Sequence, residues 1–223
     1  MRSDARERRR RIIDTACELW RTTNPGEVTL ERIAREAGVG IATVYRNFTD
    51  RQDLAWAAAH TLLERAAAHQ EETMARFADD PRAVWDHYVH HLVDMGLGTL
   101  VPALAPEHLA ELPEELHDVR VRTRENMGRM LELAHEHGLM PAALTPDQFI
   151  TRLTVVSRPP APGVRELDPD VTDELVEVLL EHGRLTAERD AVRAPARGAP
   201  ARPDAGVVKR AYHGLHGQHR QPG

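Results

Sequence analysis

Two Glu-x-x-His pairs, Glu114 with His117 and Glu132 with His135, come nearest to an enzyme's constellation in this chain of 223 residues. Carboxylate di-metal centres in helical bundles use that spacing twice. Both pairs fall on one helical pattern, where a rise of about 1.5 Å per residue sets them roughly 27 Å apart, so they cannot share an intramolecular site. His87, His90 and His91 follow another helical pattern, with Asp94 one turn from His90. A metal pair is conceivable at that spacing, but histidines on a helical surface are usually solvated, and no metal site is assigned to them. His213, His216 and His219 near the C-terminus are read the same way. The sequence offers no glycine-rich phosphate loop, serine nucleophile elbow or H-E-x-x-H helix. No catalytic residue and no cofactor is expected, and the chain is not read as an enzyme.

A different chemistry is suggested by Ala34–Leu54, where a turn at Gly38 joins two short helical patterns and a third begins at once. The formal net charge of -6 speaks against a polyanionic partner until the charge is divided along the chain. Residues 1–56 carry a net +2, residues 57–190 a net -13 and residues 191–223 a net +5, with Arg8-Arg9-Arg10-Arg11 the densest basic run. Basic ends on an acidic middle fit a nucleic-acid-binding head on a body that does not bind. Hydrophobic content of 41% with only 4% aromatic residues favours packed helices. Cys17 is the single cysteine, which excludes an intrachain disulfide or a cysteine zinc site. No apolar run approaches the roughly 18 residues of a membrane span, and the first residues lack the apolar core of a signal peptide, so a cytoplasmic protein is expected.

The elements that must position these residues follow from periodicity and caps. Ile12, Ile13, Ala16, Leu19 and Trp20 make one helical stripe, which Asn24-Pro25-Gly26 ends. Thr29 caps a second helix through Glu36, and a third runs from Gly40 to Asn47. Thr49-Asp-Arg-Gln52 has the form of a capping box for a long fourth helix. Asp80-Pro81, Thr145-Pro146 and Asp168-Pro169 mark later starts, with proline in the first turn. Pro106 and Pro113 divide the region before a seventh helix whose stripe is Leu116, Met127, Met130, Leu131 and Ala134. Ser157–Gly163 reads as a stiff surface loop. The expected fold is all-α with about nine helices. A helix-turn-helix DNA-binding domain occupies residues 1–48, a helical effector-binding and dimerisation domain residues 49–190, and a disordered basic tail residues 191–223.

A helix-turn-helix needs a small residue where its helices meet, a residue able to take positive φ in the turn, and apolar anchors beneath. Ala34, Gly38, Val39 and Val44 supply them in register. On these residues, with Ile12, Ala16 and Leu19 before them and Thr29–Leu54 throughout, the chain resembles the TetR family of bacterial one-component regulators over roughly residues 7–54. The rest agrees with that family only in the number and length of its helices.

The resemblance implies a two-fold dimer in which each subunit lays its third helix in a major groove of operator DNA. Gly40, Ile41 and Ala42 would then approach base edges. Thr43, Tyr45 and Asn47 resemble the family's phosphate-contacting positions, each an uncharged donor. Arg46 would reach a guanine or the backbone, and Arg51 stands where the family usually has lysine. Thr29 and Thr49 would cap helices whose N-termini face phosphates. With neutral donors and helix ends at the phosphates, the near-neutral head remains compatible with DNA.

The resemblance also implies an effector pocket in the body, for which Trp56, Trp85, Tyr88, Met95, Met127, Met130 and Phe149 are the candidates, although each taken alone is more often ordinary core. Leu153 and Val156 on the eighth helix, with Leu175, Val176, Leu179 and Leu180 on the ninth, leave apolar groups on more than one face. They are the candidates for an intersubunit four-helix bundle, or for a buried central helix. The expected function is a ligand-responsive transcription factor, a repressor that binds operator DNA as a homodimer and is released by a small-molecule effector. The alternative is a helical ligand-binding or interaction module without DNA binding.

Overall fold

Residues 2–22, 25–104 and 112–193 are described by the structure, a computed structural model, and all their regular structure is helical. Ten α-helices follow one another: α1 Arg2–Thr22, α2 Leu30–Glu36, α3 Ile41–Asn47, α4 Arg51–Arg76, α5 Pro81–Asp94, α6 Leu97–Leu104, α7 Glu114–Glu136, α8 Pro146–Val156, α9 Pro162–Leu167 and α10 Val171–Arg193, with a 3-10 turn at Pro25–Glu27. These belong to one unit ending at Arg193. The expected tail begins inside α10, and residues 194–223, with their three histidines, lie outside the described residues, as do Asn24 and Pro106.

The local chemistry of the ends explains where the helices start and stop. The Thr29 hydroxyl accepts from the Arg32 N–H at 3.2 Å and caps α2. At the other end Gly38 takes φ 65°. Its N–H donates to the Arg35 carbonyl at 3.1 Å while that of Val39 donates to Ala34 at 3.0 Å, a paired closure that only a left-handed residue allows cheaply. Thr145 and Gln148 form the expected reciprocal box at the start of α8, and Asp80 caps α5 ahead of Pro81.

Three sequence expectations shift. The cap of α4 is Asp50, whose carboxylate accepts from the Asp53 N–H at 2.8 Å; Thr49 instead donates its own N–H to Asp53 at 2.9 Å. A carboxylate is favoured at a helix start, and the cap moves along by one residue. The region read as a loop through Gly163 contains the start of α9, since Pro162 brings the φ a helix needs. The last helix begins at Val171, two residues after Pro169, with the Asp170 carbonyl accepting from Glu174 at 3.0 Å.

Two cores result. In the first, Ile12, Ala16, Trp20, Ile33, Ala34, Val44 and Phe48 are joined by Leu54, Ala55 and Ala58 of α4 and by Leu100 and Leu104 of α6. The head's core thus extends past residue 48. In the second, Trp85, Tyr88, Met127, Met130, Phe149 and Leu153 pack with Val176 and Leu180. Helix α4 runs parallel to α7, since the Leu63 carbonyl accepts from Thr123 and the Phe77 ring meets His137 about four turns further on in both. Arg184, only 11% exposed, ties α10 to α5 through Asp86 at 3.0 Å. Gly98 of α6 sits so close to the end of α8 that a Cβ there would fall 2.2 Å from the Ser157 carbonyl oxygen.

Candidate nucleic-acid interface

Helix α3 is held by a few residues and shows the rest. Val44 and Phe48 are buried in the head's core, while Tyr45 is 53% and Ile41 38% exposed. Gly40, Ala42 and Arg46 are also exposed, and Thr43 and Asn47 are half-buried. Large exposed side chains on a short, firmly anchored helix form a surface that can enter a groove of about 12 Å.

Several of the candidate donors are already engaged. The Asn47 amide donates to the Thr43 carbonyl at 2.7 Å. Arg46 folds back on its own helix, its Nε donating to Ala42 O at 3.0 Å and its Nη2 to the Thr43 hydroxyl at 3.1 Å. Such intrahelical bonds are weak enough to exchange for a phosphate or a guanine edge. Arg51 lies elsewhere: its Nε donates to the Val28 carbonyl at 3.1 Å and its guanidinium carbon is 5.7 Å above the Trp20 ring. It braces the start of α4 against α1 and the turn before α2. Thr29 stands exposed at the start of α2, whereas Thr49 no longer presents a capped helix start.

The body brings five of the seven pocket candidates together. Trp85, Tyr88, Met127, Met130 and Phe149 share the second core, with the Trp85 and Phe149 rings 5.3 Å apart, and Met95 packs at its side. Trp56 is half-buried and belongs to neither core cluster. Sequence periodicity did not single out Gln70, a buried amide on α4 that donates to the Tyr88 hydroxyl at 3.1 Å while its own oxygen has no partner. The Trp85 indole N–H and the Asn126 amide are likewise buried and unpaired. Burial pushes the Tyr88 hydroxyl's pKa well up. Desolvation, then the neighbouring His91, holds the His69 imidazole below its usual range. His91 lies against His69 with ring centroids 4.0 Å apart, and His90 reaches the Asp86 carbonyl and Glu177. An open groove of about 340 Å³ lies between α8 and α10, and Phe149 is the one pocket candidate on its wall.

The dimer candidates divide by burial. Leu153, Val176 and Leu180 are buried in the chain's own core, Val156 and Leu179 are half-buried, and Leu175 is 45% exposed. The apolar side chains that face outward from these two helices are Val155, Leu175, Val178, Leu185 and Val192. None of the helices among the described residues is long and apolar enough to cross a membrane.

Comparison with known proteins agrees with this arrangement. The family model for bacterial regulatory proteins of the tetR family matches residues 12–58, and that for the C-terminal domain of SbtR-like transcriptional regulators matches residues 80–182. An HTH-type transcriptional regulator of Staphylococcus aureus is 41% identical over 56 residues, which are 25% of this chain and 30% of that protein. The matched stretch thus spans about a third of the length of such curated relatives. Among solved structures, a TetR transcription regulatory protein from Mycobacterium vanbaalenii is 24% identical with a TM-score of 0.53, covering 79% of this chain and 96% of that one. A TetR transcriptional regulator from Streptomyces coelicolor gives 21%, 0.56, 79% and 98%. A FadR transcriptional regulator from Bacillus subtilis in complex with stearoyl-CoA gives 17%, 0.50, 76% and 96%. These structures share the fold. Both family models describe regulators, which act on transcription by binding DNA and not by catalysis. With a helix-turn-helix head built on α2 and α3, and with both the head and the body matched, the chain belongs to the TetR family of bacterial transcriptional regulators.

Proposed function

We propose that this regulator is a cytoplasmic homodimeric repressor that holds operator DNA through α3 and releases it when a small molecule binds the body. The observation that carries the DNA contact is the exposure of Ile41 and Tyr45 on a helix anchored beneath by Val44 and Phe48. In this reading Gly40, Ile41 and Ala42 meet base edges. Thr43, Tyr45, Asn47 and Thr29 meet phosphates, and Arg46 leaves its helix to do so. Arg51 serves by fixing α4, and Thr49 contributes through its contact with Asp53.

The effector reading is supported by Gln70, Trp85 and Asn126, whose buried polar atoms lack partners. Leaving such an atom unpaired costs about 1–3 kcal/mol, which a ligand's complementary groups would recover. Gln70 lies on the same helix as Leu54 of the head, about 24 Å away along α4. A ligand that repositions Gln70 and Tyr88 therefore pulls on an element rooted in the head, and α6 offers a second route through Leu100, Leu104 and Gly98. Release follows if the effector favours a spacing of the two α3 helices that the operator does not. Dimerisation through α8 and α10 is supported by the exposed Val155, Leu175, Val178 and Leu185.

A mobility-shift titration on DNA flanking the chain's own coding region tests the reading. Tyr45→Ala and Thr43→Ala should weaken binding to all sequences alike, while changing Ile41 should alter preference. Operator affinity that stays constant at saturating effector would remove the release step. No binding by the wild type at low salt would leave a helical ligand-binding module instead.

A further inference from the structure

Along one stripe, α1 turns from apolar to basic. Ile12, Ile13, Ala16 and Trp20 face the head's core, and the same stripe carried toward the N-terminus reads Arg9 and Arg6, both exposed. The helix is continuous from Arg2, so Arg6 stands about 9 Å beyond Ile12. Its charges are sorted by face. Asp4 and Glu7 stand one turn before Arg8 and Arg11, the spacing at which opposite charges neighbour each other on a helix. Around Arg6 and Arg9 no acidic residue occupies that spacing; their neighbours there include each other and Arg10. Like charges so placed work against the helix, so helix stability does not account for them. The Arg9 guanidinium carbon lies 4.8 Å over the ring of Phe48, the residue that closes α3. The basic face therefore opens beside the end of the helix that carries Tyr45.

We propose that the Arg6–Arg9 face of α1 is a second DNA-contacting surface, which holds the phosphates flanking the groove entered by α3 and supplies much of the charge neutralisation that α3 lacks. This rests on the DNA-binding reading above. Duplex DNA carries one negative charge per roughly 1.7 Å of its axis, a density that attracts guanidinium groups with no acidic residue one helical turn away. The two surfaces divide the work: α3 reads base edges and fixes register on the phosphates with mostly neutral donors, and α1 supplies most of the salt-dependent affinity.

The test is fluorescence anisotropy with the full chain on two duplexes, one from the region flanking its coding sequence and one of unrelated sequence, across a salt series. Arg6→Gln/Arg9→Gln should weaken binding to both duplexes by a similar factor and lower the slope of log K against log salt by about 1.8. Arg8→Gln/Arg11→Gln removes the same charge from the opposite face and should change the slope far less. Arg6→Lys/Arg9→Lys should restore it, because an ammonium also holds a phosphate. Circular dichroism of each variant reports whether α1 is intact, and if the glutamine pair unfolds it, a reduced slope in the folded lysine pair overturns the proposal. Equal effects from the two faces, or an unchanged slope in the Arg6/Arg9 variant, also overturn it while leaving the regulator reading in place. Absence of binding by the wild type to either duplex at low salt removes both.

Discussion

His69 shows how one side chain links the body's packing to pH. Its Nε2 is buried without a partner, and its ring is pressed against His91. Desolvation is the chief cause of its lowered pKa, with His91 and His87 adding repulsion and Glu72 opposing them. The unfolded chain, with an ordinary imidazole near 6.5, then takes up the proton more readily than the folded one. Stability from this group is present above the unfolded value and is lost as pH falls through it. Urea midpoints should fall between pH 7 and pH 5, and His69→Gln should flatten that fall; an unchanged slope in the variant would assign it to other groups. Gln70 beside it was illegible in the sequence, because helical periodicity tells which face is buried and not which polar group another helix will meet there. Val44 was legible as an anchor of the turn, whereas the outward place of Tyr45 came from the resemblance; adjacent helical residues point about 100° apart, so burying Val44 leaves room for Tyr45 to face out.

At the scale of elements, the caps that involve one strong acceptor were readable: Thr29, Asp80 and the Thr145–Gln148 box stand where their sequence signatures put them. The α4 start slipped because Thr49 and Asp50 are both residues that can cap a helix, and only geometry decides between them: Asp50 accepts from Asp53, and Thr49 donates to it. Helix α9 escaped because six residues give no periodicity to read. Glycines divide in the same way. At Gly98 a methyl group would meet the Ser157 backbone, whereas at Gly128 in α7 its nearest neighbour is Pro146 at an ordinary 3.8 Å. Gly98→Ala should destabilise by about 1–3 kcal/mol through overpacking. Gly128→Ala should stabilise by about 0.5–1 kcal/mol, since alanine holds a helix better. Thermal melts of the two variants moving in the same direction would contradict the α6–α8 contact.

For the whole molecule, α10 offers two faces with different duties. Val176 and Leu180 close the body's core, and Leu175 and Val178, 45% and 63% exposed, look outward. The sequence showed that apolar groups occupied more than one face but could not say which face the chain would keep for itself; that depends on where α5 and α8 lie. Val176→Ala or Leu180→Ala should cost about 2–5 kcal/mol of folding stability. Leu175→Glu/Val178→Glu should leave the fold within about 0.5 kcal/mol, since both are on the surface. Sedimentation should then show a shift from dimer to monomer, with loss of affinity for a palindromic operator. A variant that stays dimeric would place the interface elsewhere.

Cys17 is buried against the head's core, and burial, only partly offset by Arg65, pushes its thiol up to about 11. At neutral pH it is therefore a poor nucleophile, slow toward maleimides and oxidants. A second cysteine introduced on an exposed turn of α3 or α10 would be the only reactive thiol in the chain. Spin or fluorescent labels could be attached there without replacing the native residue, and a label on α3 would report directly on the distance between the two α3 helices of the proposed dimer.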